Sequence, residues 1–360
     1  MTTYLIILFT QLFIVSSCEK EAIESSSLSS RIERKVIRIA KNRNIPSLEL
    51  TITTEQDIID FNYNHKAVEL QNIYGVASVT KYLSAVLIFK LIEDEELNIN
   101  DNVTDYINLT NPITGSETLT VKNLLNHTSG LSDYTQNPNW MESLLNNNAP
   151  ETFEEKVLLV ENTINNSGTF SYSNTNYLFL QKIVETVTNK PYKVYFNEFY
   201  ESINLSNIKM GIDENDLQAF FGQTEEASPD VSAWREHYGY DGGAYANTKT
   251  LDSFLTKLYR EKSILKPSTI IQMEEWISSE PMTVPIGNNG IISEYGYGIM
   301  KLTYNEQEYI GHTGGSLKYQ SIVFYNLEKN ISISILTNCS GRHFNNVFFQ
   351  ELIPAILEEL

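Results

Sequence analysis

The sequence predicts a mixed α/β (α+β) fold, in which an antiparallel sheet is flanked by helices and accompanied by an all-helical region. Strand-like segments occur near both ends of the 360-residue chain, whereas its middle mixes helical patterns with loops rich in Asn, Ser and Thr. A sheet built from such distant segments has to be covered by the helices between them, because its apolar face must be buried. Hydrophobic residues make up 41% of the chain, which is enough for a substantial core.

The first thirty residues are predicted to serve export and tethering. Residues 4–15 form an apolar run of signal-peptide length that is too short to span a bilayer comfortably. Val15-Ser16-Ser17-Cys18 follows and resembles the lipobox of bacterial lipoproteins, in which the cysteine is acylated and becomes the mature N-terminus. An ordinary signal peptide or signal anchor is the alternative, since no Lys or Arg precedes the apolar run. We therefore expect an exported protein, periplasmic or at the cell surface, whose membrane contact is the lipid on Cys18 alone.

Three segments follow from this interpretation, namely a signal peptide over residues 1–18, a flexible tether over residues 19–30 and a folded domain over residues 31–360. The tether is rich in Ser and Glu and has nothing to bury. In the domain, the sheet is expected from residues 31–76 and 286–360, and the helical part from residues 77–285.

Periodicity places the elements of this domain in order. Residues 79–93 are apolar on most sides, which is typical of a helix buried in a core. The other expected elements are a surface helix over residues 31–42, a hairpin of residues 48–53 and 58–63 that turns at residues 55–57, strands over residues 295–302, 308–312, 319–325 and 331–337, and a closing helix over residues 345–360.

Charge and cysteine content exclude several classes of function. The formal net charge is −19, so a nucleic-acid backbone would be repelled. The two cysteines are Cys18 and Cys339; if Cys18 carries lipid, no disulfide forms and Cys339 is a packed free thiol. The sequence contains no spaced His/Cys cluster and no Gly-rich nucleotide loop, so neither a metal nor an organic cofactor is expected.

Ser78-Val79-Thr80-Lys81 is an S-x-x-K element at the start of the buried helix. Residues three apart share a helix face, so the Lys81 amine can reach the Ser78 hydroxyl and take its proton. The spacing alone is not specific, because Ser17, Ser206 and Ser263 also have a lysine three residues later. An ordinary helix N-cap is the structural alternative for Ser78.

Two further elements follow downstream. Tyr172-Ser173-Asn174 places a phenol that can relay a proton beside a carboxamide that can bind a substrate amide or the lysine. His312-Thr313-Gly314-Gly315 lies at the end of a strand, where glycines let a substrate approach closely. The N–H groups of Gly315 and Ser78 would then form a two-donor oxyanion hole.

In this order, the three elements resemble the three motifs of the serine β-lactamases and penicillin-binding proteins. Their surroundings are similar to the class C β-lactamase and D,D-peptidase branch, which includes esterases and D-amino-acid-specific peptidases. The likeness extends over roughly residues 31–340, and the segments that carry it are residues 124–131, 174–191, 241–243 and 295–298.

The resemblance implies a β-lactamase/transpeptidase-like fold and a serine hydrolase that forms an acyl-enzyme on Ser78. It implies Lys81 and Tyr172 as the proton-transfer residues, and which of the two is the general base stays open. Substrate binding is expected from Asn174, His312, Thr313, Gly314 and Gly315, whereas His127 is expected to be structural.

The chain departs from the β-lactamases at His312, where they most often carry Lys. A largely neutral His holds a substrate carboxylate weakly, and such binding should weaken further as pH rises through about 6.5. We therefore expect a hydrolase of D-amino-acid (D-Ala-D-Ala-like) peptides, small esters or β-lactam-like amides. The alternatives are a β-lactamase proper and a non-catalytic penicillin-binding or sensor protein.

Overall fold

The computed structural model describes residues 27–65, 71–146, 148–215, 217–224 and 229–360. The predicted signal peptide, Cys18 and most of the predicted tether lie outside these residues. In the described part of the chain, no helix has both the length and the apolar character needed to cross a membrane.

The strands are β1 (Ser47–Thr53), β2 (Ile58–Asn64), β3 (Tyr74–Gly75), β4 (Lys209–Met210), β5 (Phe220–Phe221), β6 (Ala244–Ala246), β7 (Ile277–Ser278), β8 (Val284–Ile286), β9 (Gly290–Tyr295), β10 (Met300–Tyr304), β11 (Gln307–Gly315), β12 (Gln320–Asn326), β13 (Ile331–Thr337) and β14 (Cys339–Ser340). Within the described ranges, nine of them form one antiparallel sheet in the order β2-β1-β13-β12-β11-β10-β9-β7, with β8 also paired to β9. A small sheet has the order β3-β6-β4, and β5 pairs with β14.

The α-helices are α1 (Leu28–Asn42), α2 (Val79–Glu93), α3 (Val121–Leu125), α4 (Pro138–Leu145), α5 (Phe153–Val157), α6 (Asn174–Thr188), α7 (Tyr192–Ser202), α8 (Thr248–Leu255), α9 (Pro267–Met273), α10 (Arg342–Val347) and α11 (Ile353–Leu357). Helix α8 continues into a π-helical turn, and a second π-helical turn joins α10 to α11. The mixed α/β fold with a large antiparallel sheet, flanking helices and a helical region is therefore confirmed.

Both faces of the sheet are covered, which explains why β1 is buried on both sides. Its apolar residues Leu48, Leu50 and Ile52 join a core with α1, α10 and α11. Its polar residues face α8 instead, where the Thr51 and Thr248 hydroxyl groups form a 2.7 Å hydrogen bond. Strand β1 thus has no solvent-facing side, although its sequence alternates between apolar and polar residues.

Helix α2 lies at the centre of the second core and decides where the candidate nucleophile sits. Most of its residues are buried, on all sides of the helix, as expected for a helix with so little polar surface. It packs against β11 of the large sheet. The N-terminus of α2, with Ser78, is therefore held beside the strand that carries His312.

Several boundaries differ from the predictions. Helix α1 begins at Leu28, because the Ser27 hydroxyl caps it by accepting a hydrogen bond from the Ser30 N–H, so residues 28–30 belong to the helix and not to the tether. The predicted strand 295–302 is two strands, β9 and β10, because Gly298 turns the chain with φ +76°. The closing helix starts at Arg342, three residues earlier than expected.

Candidate active site

Ser78 lies at the N-terminus of α2 and is the partly exposed start of an otherwise buried helix. Ala77 before it has φ +45°, a left-handed conformation that is strained for a residue with a side chain and that often occurs at functional sites. Two hydrogen bonds hold the backbone just before Ala77 in place. The Val76 N–H donates to the Ala244 carbonyl, and the Val76 carbonyl accepts from the Ser321 hydroxyl at 2.6 Å. The Ser78 hydroxyl makes no capping hydrogen bond to α2, so it is free for chemistry.

The Lys81 side chain is fully buried, and its amine has three oxygen atoms within hydrogen-bond distance. Lys81 Nζ lies 3.1 Å from Ser78 Oγ, 2.7 Å from Asn174 Oδ1 and 2.5 Å from the Asp241 carbonyl oxygen. The last two atoms can only accept, so Lys81 Nζ donates a hydrogen to each of them, and these bonds fix the amine beside Ser78 Oγ. This geometry allows the amine to take the serine proton.

Asn174 is oriented by residues on the opposite side from Lys81. It lies at the first turn of α6, and its Nδ2 donates to Asp133 Oδ2 and to Thr135 Oγ1, both at 3.0 Å. These bonds consume the donors of the carboxamide and leave its oxygen directed at Lys81. Asp133 is half-buried, and this burial raises the pKa of its carboxyl above the usual value.

Asp241 contributes its backbone carbonyl to Lys81, while its side chain fixes the loop. One carboxylate oxygen accepts from the Tyr134 hydroxyl at 2.5 Å, and the other accepts from the Gly239 N–H at 2.8 Å. The side chain thus holds the turn in which the carbonyl points inward.

Tyr172 packs over the lysine. Its half-buried ring lies 4.3 Å from the ring of His127, centroid to centroid, and Lys81 Nζ is 5.0 Å from the Tyr172 ring centroid. The Lys81–Tyr172 contact is therefore a cation–π contact. Among the described residues, the Tyr172 hydroxyl has no hydrogen-bond partner. It is therefore available to a substrate or to a leaving group.

His127 is buried and supports the loop that carries Tyr172. Its Nδ1 accepts from the Ser173 N–H at 3.2 Å and from Asn176 Nδ2 at 2.9 Å. The proton of a neutral imidazole is then on Nε2, which donates to the Tyr295 hydroxyl at 3.2 Å. Burial, and next the charge of Lys81, lower the pKa of His127 well below its usual value, so the ring is neutral.

His312 is also buried and is engaged on both ring nitrogens. Its Nε2 lies 3.1 Å from the Tyr295 hydroxyl, which donates to it, and its Nδ1 donates to the Thr313 carbonyl at 2.5 Å. Burial, and then Lys81, lower the pKa of His312 to about 3. His312 therefore does not titrate near pH 6.5, as the sequence had led us to expect, but at a much lower pH. The Thr313 hydroxyl contacts Met300 Sδ at 3.6 Å.

Gly314 lets β11 lie directly against the nucleophile. A Cβ at this position would be 2.2 Å from Ser321 Oγ, 2.3 Å from the Val76 carbonyl oxygen and 3.1 Å from the Ser78 nitrogen. Any side chain would therefore push β11 away from Ser78, and only glycine permits this close approach.

Gly315 presents its N–H to the open side of the strand. The Ser316 N–H donates to the Tyr319 carbonyl, so Ser316 and Tyr319 are a hydrogen-bonded pair, and the neighbouring pair Gly315–Gln320 is a non-hydrogen-bonded one. The Gly315 N–H thus points away from β12, on the side where β10 pairs with β11 no further than Gly311. It is available beside the Ser78 N–H as a second oxyanion donor.

Comparison of the chain with known proteins shows the family to which it belongs. Residues 32–351 match the model of the family described as Beta-lactamase. The chain belongs to the β-lactamase family. It thus has the fold of the β-lactamases and penicillin-binding proteins. Among the described residues, no group of three or more His, Cys, Asp or Glu side chains is arranged to hold a metal ion.

Curated relatives of this β-lactamase family member come from Staphylococcus aureus. The protein flp of strain MRSA252 is 25% identical over 294 residues, which are 80% of this chain and 55% of the relative. The chain therefore spans about half the length of such relatives. A teichoic acid D-alanine hydrolase of the same strain is 22% identical over 298 residues, or 80% of this chain and 66% of that protein.

Solved structures share the fold across nearly the whole chain. The D-amino acid amidase of Ochrobactrum anthropi SV3 complexed with D-phenylalanine has a TM-score of 0.78 at 18% identity, over 93% of this chain and 99% of that one. The octameric penicillin-binding protein homologue of Pyrococcus abyssi has a TM-score of 0.73 at 23% identity, over 91% and 77% of the two chains.

The structure brings together all the site residues that the sequence singled out within the described ranges, and it adds Asp133, Thr135, Asp241 and Tyr295. Asp241 and Tyr295 lie in segments that resemble the family, but no pattern indicated their contacts. Nothing in the sequence marked Asp133 and Thr135 as site residues, since an Asp-x-Thr spacing is common in loops.

Proposed function

We propose that this β-lactamase family member hydrolyses amides or esters of D-amino acids through an acyl-enzyme on Ser78. The observation that carries the proposal is the position of the Lys81 amine. It is held by two acceptor-only oxygen atoms, those of Asn174 and of the Asp241 backbone, and faces Ser78 Oγ at 3.1 Å.

The proposed reaction has two halves. Lys81 takes the Ser78 proton as the serine oxygen attacks the substrate carbonyl, and the N–H groups of Ser78 and Gly315 hold the oxyanion. As the tetrahedral intermediate collapses, the bond to the leaving amine or alcohol breaks, and Tyr172 passes it a proton that derives from Lys81. Water then attacks the acyl-enzyme by the reverse proton route, which releases the acid and restores the Ser78 hydroxyl.

The preference for amides and esters without a terminal carboxylate rests on His312. A lysine at this strand position would offer a cation to a penicillin or to the C-terminus of a D-Ala-D-Ala peptide. Burial leaves His312 neutral and engages both its nitrogens, so this position supplies no charge for a carboxylate. The names of two similar proteins, a D-amino acid amidase and a teichoic acid D-alanine hydrolase, support D-amino-acyl substrates.

The test compares D-alanine 4-nitroanilide, its L enantiomer, a D-Ala-D-Ala peptide and nitrocefin with purified protein and with Ser78→Ala. We expect turnover of the D-anilide, at least about tenfold slower turnover of the L form, and loss of all turnover in Ser78→Ala. Faster hydrolysis of nitrocefin than of the D-anilide would instead indicate a β-lactamase. Stoichiometric acylation without turnover would indicate a sensor protein.

We also propose that the protein is exported and anchored by lipid on Cys18. The support is the sequence of residues 4–18, an apolar run of signal-peptide length followed by a lipobox-like segment.

A further inference from the structure

A cavity of about 350 Å³ opens beside the nucleophile. Ala77, which precedes Ser78, and Ser316, which follows Gly315, both line it, together with Gly242 and Gly243. The cavity thus lies next to the residues that adjoin the nucleophile and the expected oxyanion donor in the chain. The acyl part of a substrate bound at Ser78 would extend into it.

Two carboxylates and one phenol belong to residues that line this cavity. Glu236 is only 8% exposed, and its Oε1 accepts from the Leu317 N–H at 2.9 Å. Glu214 is half-buried, and its Oε2 accepts from Lys318 Nζ at 2.7 Å. Tyr319 is 2% exposed, and among the described residues its hydroxyl has no hydrogen-bond partner. A buried phenol without a partner is costly unless a ligand supplies one.

Two of the cations near the cavity, Lys318 and Arg235, are paired within the protein. Lys318 is buried and donates to Glu214 and to the carbonyls of Ser232 and Trp234. Arg235 donates to the same two carbonyls and to Asn215 Oδ1. Lys193 and His237 also line the cavity. Lys193 is exposed at the rim, and burial lowers the pKa of His237, which keeps that ring neutral. Glu236, by contrast, has no cation within salt-bridge distance in the described part of the chain and keeps acceptor capacity besides its bond from the Leu317 N–H.

We infer that this cavity binds a positively charged amino group on the acyl part of the substrate, held by Glu236, Glu214 and the Tyr319 hydroxyl. An ammonium group has three N–H donors and no acceptor, so it can pair with the two carboxylates and the phenol oxygen of these lining residues. The inference rests on the proposed function and narrows its substrate class to amino-bearing acyl groups.

The electrostatics of Glu236 agree with this assignment. Burial raises the pKa of Glu236 to about 6, and the nearby Glu214 carboxylate adds to the rise, while Leu317, Ser316 and Lys318 oppose it. An ammonium group would stabilise the ionised form of Glu236, because it brings an opposite charge into the same buried space.

The test uses two matched pairs of 4-nitroanilides, which differ only in where an amino group is present. D-Alanyl against N-acetyl-D-alanyl anilide probes an α-amino group, and N-acetyl-D-lysyl against N-acetyl-D-norleucyl anilide probes a side-chain amino group. We expect wild-type kcat/KM to favour the amino-bearing member of at least one pair by about tenfold, the usual scale for a charge-assisted hydrogen bond. Glu236→Gln, which keeps an oxygen for the Leu317 N–H, should abolish most of that ratio.

Two further variants make the result specific. Tyr319→Phe should lower the same ratio about threefold to tenfold, and it serves if Glu236→Gln does not fold. Asp213→Asn removes an exposed carboxylate from the cavity rim and should leave the ratio within about twofold. A ratio that is the same in wild type, Glu236→Gln and Tyr319→Phe would overturn the inference. The proposed function would survive that result if the neutral members are hydrolysed in a Ser78-dependent way, whereas no hydrolysis of any D-anilide would remove both.

Discussion

Lys81 is the residue on which the candidate site converges. Its amine contacts the nucleophile, the second motif through Asn174 and the loop carbonyl of Asp241. Its charge is also a cause of the lowered pKa of His127 and of His312. A change at Lys81 therefore affects the proton acceptor and the electrostatics of the third motif at once.

We predict that Lys81→Ala lowers kcat/KM for the D-anilide about a thousandfold or more, because no other amine lies within hydrogen-bond distance of Ser78 Oγ in the described structure. The double variant with Ser78→Ala should be no worse than either single variant, since the two residues act as one unit. Ser206→Ala and Ser263→Ala, at the other serines of the domain with a lysine three residues later, are the matched controls. Inactivation by either control would mean that Ser78 is not the nucleophile.

A second prediction at this scale concerns His312 and pH. With a pKa of about 3, His312 is neutral at every pH above that value, so its charge does not change between pH 5 and pH 8. The KM of a carboxylate-bearing substrate, relative to that of a neutral ester, should therefore be constant over this range. His312→Lys should lower the relative KM of the carboxylate substrate by adding a cation. A relative KM that rises through about pH 6.5 in wild type would show that His312 titrates there.

At the scale of elements, the site is assembled where α2, the loop before α6 and β11 meet. Tyr295 at the end of β9 connects β11 with the segment that follows α3, because its hydroxyl accepts from His127 and donates to His312. The large sheet supports this junction through its central strands, which are covered on both faces. Polar groups are buried under α8 as a consequence, and Glu49 on β1 is one of them, with its Oε2 accepting from the Thr248 N–H at 3.2 Å.

We predict that Glu49→Gln stabilises the protein at pH 8. Burial raises the pKa of Glu49 from 4.5 to about 7, so ionisation of Glu49 lowers the free energy of unfolding. The sign follows from the raised value: stability falls as pH rises from about 4.5 to about 7, and the full penalty remains above pH 7. At about 1.4 kcal/mol per pKa unit, the variant should gain on the order of 2 kcal/mol at pH 8 and little at pH 4.5.

Denaturant unfolding at the two pH values measures this difference. Glu33→Gln, at an exposed position of α1, is the control and should change stability by less than about 0.5 kcal/mol at either pH. Equal effects of Glu49→Gln at pH 4.5 and pH 8 would contradict a buried, ionisable Glu49.

At the scale of the whole molecule, a cavity with charged lining residues lies beside the site, and the chain is strongly acidic, with a net charge of −19. Such a charge favours solubility and repels anionic polymers at a distance. Recognition of a substrate would therefore depend on local contacts in the cavity rather than on long-range attraction of an anion.

We predict that export attaches lipid to Cys18 and that Cys18→Ala releases the protein from the membrane. Two or more acyl chains give stable anchoring, at about 0.8 kcal/mol for each buried methylene group. Mass spectrometry of the mature N-terminus is the measurement, and Cys339→Ala is the control, because Cys339 is a buried free thiol. An unmodified N-terminus at a residue other than Cys18 would refute the lipoprotein hypothesis.

The sequence alone determined those features that depend on local order along the chain. Helix α2 could be predicted with its correct ends, because its apolar residues leave no polar face. The hairpin of β1 and β2 could be predicted because its strands alternate around a polar turn. Ser78, Lys81, Tyr172, Asn174 and the His312–Gly315 segment could be singled out because they form recognisable motifs in order.

Only the tertiary structure decided what surrounds these residues. Asp133, Thr135 and the Asp241 carbonyl orient Asn174 and Lys81 from loops distant in sequence, and a backbone carbonyl carries no residue-type signal. The neutrality of His312 likewise depends on burial, which is a property of the packed molecule. The acceptors of the cavity, among them Glu236 and Tyr319, come from separate segments that meet only when the sheet and helices have packed together.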